Sequence, residues 1–455
     1  MHIISVGGNM ETAEIIVSRI NSVVWGPAML CMLLFIGIFY TVKINFFQFV
    51  HFRTWLKETI GSCFSKKDRT KCTLSPFKAM TTALAGAIGT GNIVGVAGAI
   101  ALGGAGAVFW MWVAAFFGMA TVFAENYLGI IFRENRNGEY VGGPMYYIEK
   151  GLHSKVLAAI FAIMCTGASL GMGNMTQANS AAGAMNIGFG IDVRISGAVI
   201  AALTALIIFG GIDRISALNE KLIPVVSLLF ILFALLILLF NHERIIPSVI
   251  DIIKNAFGFR QAAGGFCGYT MANALRYGIS RGVFSNEAGL GSSPIVHSAS
   301  DNTTPVKAGM WGIFQVFVDT IIMCTLMALC IMVTGSNEIS SNAVEISSAA
   351  FSSVFAGAGS FFVNASITVF AFATLISWCY YGEKSIQYLF QGKYITVYRI
   401  IYISAAFIGS VMEIGIVWDI SDTFNGLMAI PNMIALLLLS RNVSYKKFNN
   451  HNRNI

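Results

Sequence analysis

Residues 225–240 read VVSLLFILFALLILLF, sixteen positions with one serine as the only polar side chain. A surface helix or a half-buried strand shows a polar face at its own period, and this run shows none. It belongs to one of eleven apolar stretches, at 24–42, 79–102, 106–132, 156–184, 194–212, 222–240, 262–281, 308–334, 358–382, 398–418 and 424–440. Each approaches the roughly 20 residues that a helix rising 1.5 Å per residue needs to cross a hydrocarbon core about 30 Å thick. A membrane β-barrel would instead show segments of about ten residues with polar inward positions. The expected fold is therefore an all-α polytopic membrane protein. Composition agrees, since 56% of residues are hydrophobic and 11% charged, against about 25% charged in soluble domains. An ordinary soluble enzyme is excluded.

Charge position then orients the helices. With the N-terminus outside, 24 of the 29 lysines and arginines fall on the cytoplasmic side, eight of them between residues 43 and 78. The tally includes Arg276 and Arg281, toward the cytoplasmic end of the seventh stretch, and leaves the outside loop 335–357 with none. Topology thus accounts for the net charge of +7, and no nucleic-acid partner is expected. Segment 44–62 mixes apolar and basic residues, as a helix lying at the cytoplasmic interface does. The first 22 residues carry Glu11, Glu14 and Arg19 and lack a long apolar core, so insertion through the first span is expected in place of a cleaved signal peptide. Eight cysteines form no C-x-x-C pair and read as small buried hydrophobes.

Two segments interrupt the smooth apolar pattern. The first, Ala85 to Gly98, carries Gly86, Gly89, Thr90, Gly91, Asn92 and Gly95 inside the second span; the other runs from Gly264 to Gly291 and continues to Ser293 in and after the seventh. They lie five spans apart. Five is odd, so the two spans run in opposite directions, and spans two to six and seven to eleven read as inverted repeats that each open with a broken helix. Broken helices at mid-depth expose carbonyls to a cation and N–H groups to an anion, which points to a secondary transporter. Close packing through Gly91 and Gly95 at G-x-x-x-G spacing is the plainer alternative. A dinucleotide fingerprint at Gly89–Gly95 fails on spacing and on the missing strand.

Gly89-Thr90-Gly91-Asn92-Ile93-Val94-Gly95, Gly142-Gly143-Pro144-Met145-Tyr146-Tyr147-Ile148, Ser285-Asn286-Glu287-Ala288-Gly289-Leu290-Gly291 and Ser377-Trp378-Cys379-Tyr380-Tyr381-Gly382-Glu383-Lys384 occur in that order. Together they resemble the signature segments of the bacterial and archaeal alanine or glycine:cation symporter family, and the likeness covers nearly the whole chain. The resemblance implies a leucine-transporter-type 5+5 inverted repeat with one extra N-terminal helix. It divides the chain into 1–78 (outside segment, first span and interfacial segment), repeats at 79–240 and 262–440, and a cytoplasmic tail at 441–455. It implies a multi-pass cell-membrane protein that imports alanine or glycine with sodium by alternating access; glutamine, or coupling to protons, is the alternative. No organic cofactor and no obligate protein partner are implied. The substrate carboxylate falls to Gly89, Thr90, Gly91 and Asn92, its polar end to Asn174 and Gln177, and a pocket wall to Trp378. Sodium falls to the carbonyls of Ala85 and Ile88 and the hydroxyls of Thr374 and Ser377.

The residues bear on this reading by themselves. Sodium prefers oxygen ligands, which freed carbonyls and hydroxyls supply, although Thr374 and Ser377 would equally back-bond one turn earlier. Acidic residues at lipid depth read as functional, and Glu125, Asp319, Glu383 and Glu413 qualify. Glu125 and Glu383 lie near cytoplasmic ends, where Arg133 or Lys384 would pair with them; Asp319 is deeper and is the candidate for a gate or coupling network. Glu287 is expected on the inside after the seventh span, bracing a gate or capping a loop. The polar stretch Gly167 to Ser180 in the fourth span suits a cavity wall. A channel lacks its repeated filter here. A membrane enzyme lacks its motif, since none of the six histidines forms H-E-x-x-H.

Overall fold

The computed structural model describes residues 17–63, 74–136, 138–258, 267–301 and 303–445. Lys66, Lys67, Arg69, Lys71, Cys72, Arg260, Gly264 and the tail from Lys446 lie outside them. Helices dominate; the one strand pair among the described residues is Glu134–Arg136 against Glu139–Val141. The sixth span, Gly211–Phe240, reaches a mean hydropathy of 3.2 over its most apolar 18 residues, yet Val225, Leu228, Leu232, Leu235 and Leu239 point outward while Phe230, Ala234 and Ile237 pack inward. An apolar outward face on so apolar a helix is a lipid face.

The second span breaks. Ser75 caps it, its side chain accepting the Lys78 N–H, and Pro76 opens it where no N–H is needed. Helix Pro76–Ala87 ends as Ile88 leaves the helical region (φ −71°, ψ 88°), a tight turn Thr90–Asn92 follows, and Val94–Gly103 resumes the span. The seventh span, Cys267–Asn286, unwinds at Glu287 (φ 60°), Gly289 (φ 89°) and Gly291 (φ 78°) before the short helix Ser293–His297. A Cβ on Gly103 would meet Asn273 and Tyr277, and one on Gly91 would meet Phe284 and Ser285. The two broken spans therefore cross antiparallel, with their breaks side by side.

Two further spans carry an extra residue per turn. The fourth is Lys155–Leu170 and Thr176–Phe189 joined by a π-helical turn, Gly171–Met175. The eighth holds a π-helical stretch, Phe317–Cys324, between Pro305–Val316 and Thr325–Thr334. Such turns rotate the side chains that follow and widen the helix locally.

Several boundaries differ from the sequence expectation. The seventh helix runs to Asn286, past the expected end at 281, so Arg276 and Arg281 sit well inside it. Arg281 is buried against Asp422 of the eleventh span (3.0 Å), its guanidinium 4.3 Å from the Trp418 ring. Met412 and Glu413 are extended, which ends the tenth span, Ile395–Val411, and starts the eleventh, Ile414–Leu438. Glu413 is consequently an exposed loop residue, not an acid at lipid depth. The ninth span continues to Phe390 and starts at a break at Ala356 (φ 51°, ψ −136°), which separates it from the preceding turns from Ala343. Residues His242–Ala256, which lacked the length of a span, form an amphipathic helix. Segment 44–62 forms short helices, and Trp55 is buried against Phe317, ring centroids 5.6 Å apart. Cys165, Cys324, Cys330 and Cys379 are buried as expected, whereas Cys31 is exposed because it lies on the outward face of the first span.

Candidate functional site

At the first break, leaving the helix frees carbonyls that a hydroxyl takes up. The Thr374 hydroxyl donates to the Ala85 carbonyl (2.8 Å) and lies 3.4 Å from that of Ile88. The Thr90 N–H donates to Gln177 Oε1 (3.2 Å), whose amide is steadied by donating to Met172 O (3.0 Å) inside the π-turn. The Gly89 N–H donates to Asn92 Oδ1 (3.1 Å). Thr90 Oγ1 is buried and has no hydrogen-bond partner. Space is tight here: a Cβ on Gly89 would come within 2.4 Å of Thr374 Oγ1. Glycine at 89 answers that contact, since its φ of −131° is open to any residue.

Asp319 ties the first break to the second. Asn92 Nδ2 donates to Asp319 Oδ1 (2.7 Å) and to its backbone carbonyl (2.9 Å). The hydroxyls of Ser285 (2.8 Å) and Thr320 (2.7 Å) donate to Oδ2, and Asn286 Nδ2 reaches Thr320 Oγ1 (3.2 Å). Consecutive residues 319 and 320 thus serve one polar cluster from within the π-helical stretch.

Beyond the second break, Trp378 Nε1 donates to Glu287 Oε1 (2.8 Å), and the Ser292 hydroxyl donates to Oε2. Gly173 makes the approach of Trp378 to the fourth span possible, because a Cβ there would meet Trp378 Cβ at 2.2 Å. Glu287 is fully buried. It lies within the unwound segment and is not a surface loop cap.

Ala85, Ile88, Gly89, Thr90, Asn92, Gln177 and Thr374 are thus brought together, and Gly91 packs beside Ser285. Two expected residues are engaged elsewhere. Ser377 donates to the Ala373 carbonyl (2.8 Å), one turn earlier, and accepts from Asn219 Nδ2 (2.8 Å). The Asn174 amide donates to Tyr402 O in the tenth span (2.6 Å). Of the other acids, Glu383 pairs with Arg399 (2.8 Å) and not with Lys384, which reaches Glu139 (3.2 Å). Among the described residues Glu125 has no basic partner, because Arg133 gives its guanidinium to the Ser298 and Ser300 carbonyls. Ser285, Thr320 and Asn219 were not anticipated as network members. Ser285 stood in a conspicuous polar string, whereas Asn219 lay ahead of the expected start of the sixth span.

Two antiparallel broken helices, neutral oxygens at one break and an inward carboxylate between them define a membrane carrier, not a pore or an enzyme. A profile of the sodium:alanine symporter family matches residues 10–454, and the chain belongs to that family. It is 43% identical over 436 residues to the sodium/alanine symporter AgcS of Methanococcus maripaludis, covering 93% of this chain and 94% of that protein. The probable sodium/glutamine symporter GlnT of Bacillus subtilis is 37% identical, with 95% of this chain and 89% of that protein covered. The crystal structure of MhsT in complex with L-phenylalanine superposes with a TM-score of 0.59 at 14% identity, over 81% of this chain and 89% of that one. The fold is accordingly the leucine-transporter type with one extra leading helix, in an integral membrane protein of a sodium-coupled amino-acid symporter family.

Proposed function

We propose that this chain carries a small neutral amino acid, alanine or glycine, into the cell together with sodium, by alternating access. The observation that supports it most is the first break: the Ala85 and Ile88 carbonyls converge on the Thr374 hydroxyl beside the unpartnered Thr90 Oγ1. These are oxygens of the kind a hard monovalent cation takes, and no fixed charge stands among them. Sodium sits between Ala85 O, Ile88 O and Thr374 Oγ1, while Gly89, Thr90, Gly91, Asn92 and Gln177 hold the amino acid. Glycines at 89 and 91 leave no Cβ in the wall, which favours a short substrate side chain over glutamine. Trp378 closes the pocket through Glu287, and Asp319 couples the two breaks. Ser377 and Asn174 act behind these groups, holding the sixth and tenth spans. The face rich in lysine and arginine is cytoplasmic, which places the N-terminus outside and the C-terminus inside.

Uptake of labelled alanine, glycine and glutamine into proteoliposomes under an inward sodium gradient tests this reading. Sodium-dependent accumulation of alanine or glycine is expected. Accumulation of glutamine alone would replace the substrate, accumulation under a proton gradient alone would replace the ion, and none under either would sink the reading.

A further inference from the structure

Three carboxylates are fully buried around the unwound segment after the seventh span: Asp319, Glu287 and Glu125. Their hydrogen bonds differ. Asp319 accepts on both oxygens, Oδ1 from Asn92 and Oδ2 from Ser285 and Thr320. Glu287 also accepts on both, from Trp378 and Ser292. At Glu125 the donors in full hydrogen-bond geometry, Asn432 Nδ2 (2.6 Å) and the Gly291 N–H (3.1 Å), converge on Oε1 with the Gly289 N–H nearby, and among the described residues Oε2 has no hydrogen-bond partner. An ionised carboxylate spreads its charge over two equivalent oxygens and takes donors on both, whereas a protonated one has a single accepting carbonyl oxygen and a hydroxyl. The first two carboxylates show the ionised pattern. Glu125 departs from it, with one oxygen taking the donors and the other left free to carry a proton.

Among the described residues, no charge of opposite sign substitutes for that proton. The titratable groups facing Glu125 are Tyr40 from the first span, Tyr147 from helix Pro144–Leu152 and Glu287 from the unwound segment. None of the three is a cation. Tyr147 donates to Asn432 Oδ1 and Tyr40 to the Leu436 carbonyl (2.5 Å), while Arg133, just past the end of the helix that carries Glu125, is committed to two carbonyls. A charge buried without a partner is strongly unfavourable.

Glu125 also holds the fold closed at this place. Asn432 Nδ2 donates both to Glu125 Oε1 and to the Gly289 carbonyl (2.9 Å), so the unwound segment is clamped between the third and eleventh spans. We propose that Glu125 is a proton-binding site: a proton resides on Oε2 while the clamp is closed, and the O–H bond breaks, delivering the proton to water on the lysine- and arginine-rich face, when the clamp opens. The inference rests on the transport reading above and adds to it a control by the pH of that face. Low pH there holds the clamp shut.

The test uses the full-length protein in proteoliposomes, wild type and Glu125→Gln, with the lysine- and arginine-rich face turned to the lumen. Net sodium-driven alanine uptake by wild type is expected to fall severalfold as luminal pH drops from about 8 to about 6, within the tenfold per pH unit that one proton allows. Glu125→Gln, permanently neutral, is expected to stay clamped, with exchange and uptake at about pH 8 no higher than those of wild type at about pH 6, and to lose the pH response. Infrared spectra of wild type at neutral pH are expected to contain a protonated-carboxyl band that the variant lacks. An unchanged pH response in a variant that still exchanges overturns the proposal, as does wild type without the band, whether or not the variant folds. Failure of wild type to transport or exchange any amino acid breaks the transport reading instead, and the infrared band still decides the proton.

Discussion

The two broken helices open equivalent repeats and cross side by side, yet they are built from different chemistry. At the second span the break is lined by neutral groups: the carbonyls of Ala85 and Ile88, the Thr374 hydroxyl, the Gln177 amide and the Asn92 amide. At the seventh, the unwound segment is held by the carboxylates of Glu287 and Glu125, with backbone at positive φ at Glu287, Gly289 and Gly291. Neutral oxygens bind a cation reversibly without storing charge, whereas buried carboxylates change state only when a proton or a donor moves. Shared ancestry of shape thus leaves room for one repeat to hold the cargo and the other to time its release.

The contrast is open to attack, beginning where the effect is greatest. Asn92→Leu removes the donor to Asp319 and the acceptor of the Gly89 N–H, which unties the two breaks from each other. Uptake is expected to vanish while the purified protein still elutes as a folded monodisperse species; retained uptake would remove Asn92 from the site. Gly89→Ala pushes a methyl to 2.4 Å from Thr374 Oγ1, and transport is expected to drop by at least about tenfold, the scale of a few kcal/mol of overpacking. The reverse partner change, Gly89→Ala with Thr374→Ala, is expected to recover folding stability and not sodium dependence.

Smaller effects follow from single hydrogen bonds. Thr374→Ala is expected to raise the sodium concentration for half-maximal uptake about tenfold, roughly 1.4 kcal/mol, with Thr374→Ser restoring most of it. An equal response to both substitutions would mean that packing, not the hydroxyl, matters there. Trp378→Phe deletes the donor to Glu287, a bond of the charge-assisted kind whose loss costs about 1.5–3 kcal/mol; a lowered melting temperature and slower turnover with little change in sodium affinity are expected. Arg399→Gln breaks the partly exposed pair with Glu383, lies away from both breaks, and is expected to cost at most about 1 kcal/mol and leave uptake near wild type. Loss of transport there would show that the two repeats communicate through the tenth span.

Much of the site was visible in the chain because glycine and polar side chains at lipid depth have few structural excuses. Gly89, Thr90 and Asn92 stood out against their apolar surroundings, and Asp319 did so by depth alone. Partners were another matter. Ser377 and Thr374 lie three residues apart on one helix and look interchangeable in sequence, yet only Thr374 reaches the freed carbonyls. Ser377 instead serves Asn219, a residue from a helix that begins earlier than its apolar run suggests. Glu125 was expected to pair with Arg133, a loop residue just past its span, but the arginine takes the Ser298 and Ser300 carbonyls and the carboxylate turns inward.

The amino-acid sequence by itself determined the membrane class, the set of helices and the positions of both breaks. Each follows from local physics: apolar length against bilayer thickness, and glycine where a helix must part. The tertiary structure alone decided that the break in the second span meets Thr374 and Gln177, that Asp319 meets Asn92 and Ser285, and that Glu125 is left with one oxygen unbonded. These outcomes depend on the register and rotation of helices far apart in the chain. Contacts among several spans set that rotation jointly, and no single segment encodes it.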